Sequence, residues 1–200
     1  MPTRSLSLFV GPLLDRYARA GVEERNEVET DIWARYGQAL AVLVLDMSGF
    51  SLLTQRHGII YYLAMVRRMQ LTVAPIVARH GGEVVKFEAD NCFAIFGEPL
   101  HAVNAALEIH AVLAADQDHP PDEKIRVAIG IDYGRVLLVD RQDVFGNPVN
   151  RASKLGEDIG EAGETLITEE AYARVPTEAG IAGKHTRLTI AGIEIGVISL

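Results

Sequence analysis

Residues 81–96, GGEVVKFEADNCFAIF, decide how the rest of the chain is read. Val84, Val85 and Phe87 supply one short strand, and Phe93, Ile95 and Phe96 supply a second. Ala89-Asp90-Asn91 form a tight polar turn between them. A carboxylate at the tip of such a hairpin is held by rigid backbone on both sides. Lys86, four residues before Asp90, interrupts a strand that otherwise wants apolar residues. Ionisable groups in such a hairpin need partners, because an unpaired buried charge is costly. Taken alone, the hairpin is equally a surface feature with a solvated Asp90 and a snorkelling Lys86.

Upstream, residues 41–45 (AVLVL) are a continuous apolar run ending in Asp46, the pattern of a central strand buried on both faces. Met47-Ser48-Gly49-Phe50-Ser51 then leads into a helical stretch over residues 51–80, with Ser51 placed to cap it. A buried strand, a glycine turn and a helix N-terminus together make an anion site. Asp46 would repel a phosphate directly, but it suits a cation that in turn holds phosphate. The plainer alternative is a carboxylate capping the helix.

Downstream, residues 99–116 have helical spacing. His101 and His110 lie on this helix without an HExxH pattern or a partner cysteine, so they are packing or surface residues. Residues 125–133 alternate as a strand, and Gly134-Arg135 turn the chain into residues 136–139 as a second hairpin. In residues 143–155, DVFGNPVNRASKL, Asn147 is a good N-cap and Pro148 a good first helical residue. Asn150 and Lys154 share a face of that helix, and Asp143 sits just before it. Residues 165–168 read as a strand, 169–174 as a short helix, and 185–190 with 193–198 as a closing hairpin around Gly192. At the other end, Leu8, Phe9, Leu13, Leu14 and Tyr17 recur at helical spacing. After Gly21, residues 23–36 carry Val28, Ile32, Trp33 and Tyr36 on one side of a second helix.

This order predicts an α+β fold of the ferredoxin-like sandwich type, a mainly antiparallel sheet covered by helices. Residues 39–200 form that domain and residues 1–38 a helical extension. In such a layout the end of the first strand neighbours the hairpin tip, which brings Asp46 beside Asp90. Two close carboxylates repel unless they share metal ions. Two Mg²⁺ ions with a bound triphosphate are one solution, and it is used in phosphoryl chemistry.

Composition narrows the partners. The chain has 200 residues, 48% hydrophobic, and a net charge of −8. That charge argues against a nucleic-acid duplex, yet it permits a nucleotide held through metal ions. The one cysteine, Cys92, excludes an intrachain disulfide and a Cys-based zinc site, and fits a reducing, cytoplasmic setting. No apolar run approaches the roughly 20 residues of a membrane span, and the first residues lack a signal-peptide cleavage site.

Three segments in this order, LVLDMSGFS, GGEVVKFEADNCFAIF and DVFGNPVNRASKL, resemble the class III nucleotidyl cyclase catalytic domain. The resemblance covers about residues 41–200. It implies that Asp46 and Asp90 bind two Mg²⁺ or Mn²⁺ ions, with the Met47 carbonyl as a further ligand. It implies that the backbone of Ser48, Gly49, Phe50 and Ser51 cradles the triphosphate, and that Lys86 and Asp143 read the base. Asn150 falls where the ribose or transition state is oriented. Lys154 stands where relatives usually have arginine.

A lysine donor and a carboxylate acceptor suit adenine, whereas guanine presents the reverse pattern and would leave both mispaired. The resemblance therefore implies an adenylate cyclase that converts ATP to 3′,5′-cyclic AMP and pyrophosphate. In this family the metal pair and the base-reading pair come from different subunits, which implies a homodimer with two sites. The helices before residue 41 then transduce a signal or stabilise the dimer, and a regulatory domain or partner is open. Three departures bear on this. Lys154 offers a point charge in place of a planar fork. Ala191 occupies a place where many relatives have a phosphate-binding lysine, with Lys184 or Arg187 as substitutes. Glu88 adds an acid beside Asp90. The alternatives are a catalytically silent nucleotide-binding or dimerising module and a cyclase for another base.

Overall fold

The computed structural model describes residues 10–117, 119, 123–190 and 193–200, and the side chains among these except those of 50–53, 190 and 193. Two helices, α1 (Gly11–Arg19) and α2 (Val22–Tyr36), precede the sheet. Their apolar stripe is used within the chain: Val28 and Ile32 are buried, and the Trp33 ring lies 4.3 Å from the Arg135 guanidinium.

The expected central strand is longer than its apolar run. β1 spans Gly37–Met47, with residues 41–45 fully buried. It is followed by α3 (Phe50–His57) and α4 (Ile59–Arg79), then the hairpin of β2 (Glu83–Glu88) and β3 (Asn91–Phe96), and α5 (Pro99–Ala114). β4 (Val127–Val139) and β5 (Asp143–Phe145) form a second hairpin. Next come α6 (Asn147–Ser153), a π-helical turn over Lys154–Ile159, β6 (Thr165–Thr168), α7 (Glu169–Tyr172), and the closing pair β7 (Lys184–Ile190) and β8 (Ile193–Ser199).

The eight strands form one sheet in the order β2-β3-β1-β4-β6-β8-β7, with β5 paired to β4. The pairings are antiparallel except β4 with β6, which is parallel. On one face Leu43, Leu45 and Met47 of β1 pack with Met69, Ile76 and Ile109 from α4 and α5. On the other, Val42 and Val44 pack with Val85, Phe93, Val136 and, from α6, Val149 and Ala152. Cover on both faces is what an uninterrupted apolar strand requires.

Several local expectations are corrected. The helix predicted over residues 51–80 is two helices, divided at Gly58, whose φ of +85° takes it out of helical geometry. Ser51 is not the cap: α3 begins at Phe50, and its N-cap is Gly49 at φ +85°. Gly134-Arg135 do not turn the chain. They continue β4 opposite Leu40 and Ala39 of β1, because pairing along the whole of β1 outweighs the local turn propensity. The reversal falls instead at Asp140 and Arg141, both left-handed (φ +51° and +54°), as a tight hairpin requires. Asn147 is the first residue of α6, with Gly146 at the N-cap, so its side chain caps nothing. Ala191 lies outside the described residues.

Candidate active site

The end of β1 and the tip of the β2–β3 hairpin come together because β3 pairs antiparallel with β1, Leu45 opposite Cys92. Asp46 is one residue beyond Leu45 and Asp90 two before Cys92, so both carboxylates sit at the same end of the sheet. Strand alternation places Asp46 opposite to Leu45 and Met47, on the Val42 and Val44 face. Its pKa is raised to about 6, first by burial and then by the negative fields of Asp90 and Glu157. Ala89, immediately before Asp90, holds a left-handed φ of +52°. The amide oxygen of the next residue, Asn91, is buried and has no hydrogen-bond donor among the described residues.

Lys86 and Asp143 are brought together from separate hairpins. A bulge in β2 between Val84 and Lys86 lets Lys86 share the face of Val85 and Phe93. Its ammonium stands 4.9 Å from the Phe93 ring centroid. The β4–β5 turn is tied to β2 by the ion pair of Arg141 with Glu83. Asp143, first residue of β5, then reaches Lys86 at 3.1 Å, and Glu88 reaches the same ammonium at 3.1 Å. Burial alone would lower the Lys86 pKa, but these two carboxylates carry it above the usual lysine value.

After Met47, which is buried, the Ser48 amide donates to the Arg126 carbonyl at 2.9 Å. That amide is committed and is removed from the expected phosphate cradle. Gly49, Phe50 and Ser51 enter α3, where first-turn amides have no intrahelical acceptor.

Asn150 and Lys154 are exposed, one turn apart, on α6 and the π-helical turn. The Lys154 ammonium is paired with Asp158. The π-helical turn lies directly on the sheet: a Cβ on Gly156 would come 2.7 Å from the Val44 carbonyl oxygen, and one on Gly130 2.0 Å from that of Ala152.

Three groups escaped the sequence reading. Tyr62 of α4 is 6% exposed and lies in the negative fields of Asp90 and Asp46. Burial first, then these carboxylates, push its pKa up to about 12. Helical periodicity marks such a tyrosine only as core. Arg151, next to Asn150, donates to Asp132 at 2.6 Å, and Thr168 donates to the other Asp132 oxygen at 2.5 Å. Asp132 is fully buried, and its position in an alternating strand was the available signal. Glu157, on the π-helical turn, adds its negative field at Asp46.

The profile of the adenylate and guanylate cyclase catalytic domain matches residues 34–191. The chain belongs to that family. A solved structure from Silicibacter pomeroyi, described as an adenylate/guanylate cyclase/hydrolase, is 30% identical, with a TM-score of 0.65 over 82% of this chain and 96% of that one. The catalytic core of a rhodopsin–guanylyl cyclase with converted specificity, solved with ATPαS, has the same fold at 20% identity; its TM-score is 0.72 over 82% of this chain and 97% of that one. An adenylate cyclase of Streptomyces coelicolor is 33% identical over 116 residues, 58% of this chain and 29% of that protein. The chain spans between 22% and 38% of the length of the first curated relatives it matches. Among the described residues no helix is long and apolar enough to cross a membrane.

Proposed function

We propose that this domain is an adenylate cyclase, forming 3′,5′-cyclic AMP and pyrophosphate from ATP at the interface of a homodimer. The observation that carries the base assignment is the Lys86–Asp143 pair, 3.1 Å apart on two different hairpins. Lys86 donates to the adenine ring nitrogen, and Asp143 accepts from the exocyclic amine. One protomer contributes the Asp46–Asp90 pair and its partner the Lys86–Asp143 pair.

The donor set fits Mg²⁺ or Mn²⁺. It is all oxygen: two carboxylates, with Asp46 raised first by burial and then by the field of Asp90, and the Met47 carbonyl. Among the described residues no group of three or more His, Cys, Asp or Glu side chains converges, which leaves the remaining coordination to nucleotide oxygens and water. Two ions bound there would acidify the ribose 3′-hydroxyl and neutralise charge on the leaving pyrophosphate. Asp46 and Asp90 hold them; the amides of Gly49, Phe50 and Ser51 cradle the phosphates; Asn150 orients the ribose; and Lys154 supplies positive charge to the phosphate oxygens. Residues 1–38 serve as a transducing or dimer-stabilising extension, with α2 docked on β4 through Trp33 and Arg135. The setting is cytoplasmic.

A second reading, a nucleotide-binding module without turnover, is favoured by one feature: the Lys154 ammonium is already held by Asp158. Cyclic nucleotide formation from ATP, GTP, CTP and UTP, in Mg²⁺ and in Mn²⁺, decides between them, with Asp46→Ala as blank. Cyclic AMP from ATP, absent in the variant, supports the cyclase. Metal-dependent ATP binding with no product in either metal supports the silent module.

A further inference from the structure

We propose that Glu88 is a third base-reading residue, an acceptor set against the group one position beyond the ring nitrogen that Lys86 meets. This rests on the base-reading role of Lys86 and Asp143 and deepens it. That pair by itself reads only an exocyclic amine beside a ring-nitrogen acceptor. Adenine presents those groups as N6 and N1, but cytosine presents the same two as N4 and N3. The bases part at the next position along the edge, where adenine has C2–H and cytosine has the O2 carbonyl. A residue that tests this position is what the pair lacks.

The contacts already made around Lys86 define what is left for a base. Past the β2 bulge, Lys86 pairs with Phe93 and Glu88 with Asn91, so both side chains leave β2 on the same face. Glu88 Oε2 and Asp143 Oδ1 each stand 3.1 Å from the Lys86 ammonium. Asp143 Oδ1 also accepts the Val144 amide at 3.0 Å, which leaves Oδ2 for a ligand. Among the described residues nothing donates to Glu88 Oε1. Two carboxylates repel, so they take different protons of the tetrahedral ammonium, and the third proton remains. The edge offered to a base therefore runs acceptor, donor, acceptor, from Asp143 through Lys86 to Glu88. Adenine satisfies the first two and sets a C–H against Glu88. Cytosine would set O2 there, two acceptors with no proton between them, which is a costly mispairing. The full complement of this edge is donor, acceptor, donor, and 2,6-diaminopurine has it, because its 2-amino group would donate to Glu88.

The test is calorimetric binding to the whole chain in Mg²⁺. The ligands are the 3′-deoxy triphosphates of adenine, 2,6-diaminopurine, cytosine and guanine, which cannot cyclise. Wild type should bind the diaminopurine nucleotide about tenfold more tightly than the adenine one, through one added charge-assisted hydrogen bond. Glu88 is 67% exposed, so Glu88→Ala leaves the core untouched. In that variant the diaminopurine preference should fall to within about twofold, and the penalty against cytosine relative to adenine should shrink by about tenfold. Glu88→Gln, which keeps a carbonyl oxygen without the charge, should retain part of the preference. A residue that only props Lys86 would weaken all four nucleotides alike, so ratios unchanged in Glu88→Ala overturn the proposal. Wild type binding the adenine and diaminopurine nucleotides within twofold of one another overturns it as well. In either case, loss of the adenine-over-guanine preference in Asp143→Ala leaves the Lys86–Asp143 reading standing. An unchanged adenine-over-guanine preference in Asp143→Ala overturns both.

Discussion

The Lys86 ammonium and the Asp143 carboxylate meet at 3.1 Å although 57 positions separate them, because a bulge in β2 and the tethered β4–β5 turn aim them at one another. Neither is deeply buried, and each leaves hydrogen-bonding capacity for a third group. Glu88 takes one of the lysine's three protons, which leaves one for a base. Asp143→Ala should therefore lower the ratio of kcat/KM for ATP to that for GTP by about a hundredfold, since adenine's amine loses its acceptor while the lysine can still meet a guanine carbonyl. Steady-state rates with both nucleotides check this; an unchanged ratio would remove Asp143 from base reading.

The raised pKa of Asp46 has a signed consequence for stability. The unfolded chain releases this proton near the ordinary 3.8, but the folded protein keeps it to about 6. Between those values the folded state binds more protons. The metal-free protein therefore loses stability as pH rises through this window, and the loss is complete above it. Asp46→Asn abolishes the penalty. Its thermal midpoint without metal should exceed that of wild type at pH 8, with the gap narrowing as pH is lowered through 6 towards 4. The residue is only half-buried, so solvent screening keeps the effect modest. Cations bind the ionised form, so wild-type Mn²⁺ affinity should fall on acidification through about 6. Melting curves at four pH values decide it; a gap independent of pH would mean that burial and the neighbouring carboxylates do not hold the Asp46 proton.

Much of the scaffold is legible in the sequence because its signals are local. AVLVL has the pattern of a strand covered on both faces, and the hairpin of residues 81–96 carries its own turn. The failures are where tertiary pairing overrides local chemistry. Gly134-Arg135 look like a turn but are stretched along β1, and helical spacing runs through Gly58 although its φ cannot be helical. The site divides in the same way. Asp46 at a strand end and Asp90 at a hairpin tip are brought to one end of the sheet by register, which pattern reveals, whereas Lys86 and Asp143 are expected together only from the family resemblance and meet through a bulge and a tethered turn. Arg151 acts through a contact with Asp132, 19 positions away, and no periodicity encodes it.

Arg151 is the clearest case. Asp132 is fully buried and spans Arg151 and Thr168, while Arg151 reaches on to the surface through Glu170 at 2.8 Å. Burial pushes the Asp132 pKa up, and its two partners only partly offset this. Arg151→Ala leaves an unpaired carboxylate inside the sheet, at a cost of about 3–5 kcal/mol. Urea unfolding should show the loss as a lower midpoint with an unchanged slope. Because Arg151 anchors α6 one residue from Asn150, the folded fraction should also turn over more slowly at saturating ATP. Full activity in that fraction would confine Arg151 to stability.

Lys154 is held by two constraints that can be released separately. Asp158 pairs with it one turn on, and Gly156 lets the turn that carries it lie against Val44 and Gly130. The ion pair is exposed and screened by solvent, so breaking it leaves stability nearly unchanged. Asp158→Ala nevertheless frees the ammonium for phosphate and removes a negative charge from the field at Asp46. KM for ATP should fall a fewfold with little change in thermal midpoint. Gly156→Ala acts oppositely, forcing a Cβ into the Val44 carbonyl oxygen. It should cost about 1–3 kcal/mol by overpacking and displace Lys154 from the site. Lys154→Arg tests the remaining term, because a planar fork can bracket two phosphate oxygens where an ammonium meets one. If Lys154 contacts the phosphates, the arginine variant matches or exceeds wild-type kcat and the alanine variant loses at least tenfold. Equal kcat in all three would remove Lys154 from transition-state stabilisation.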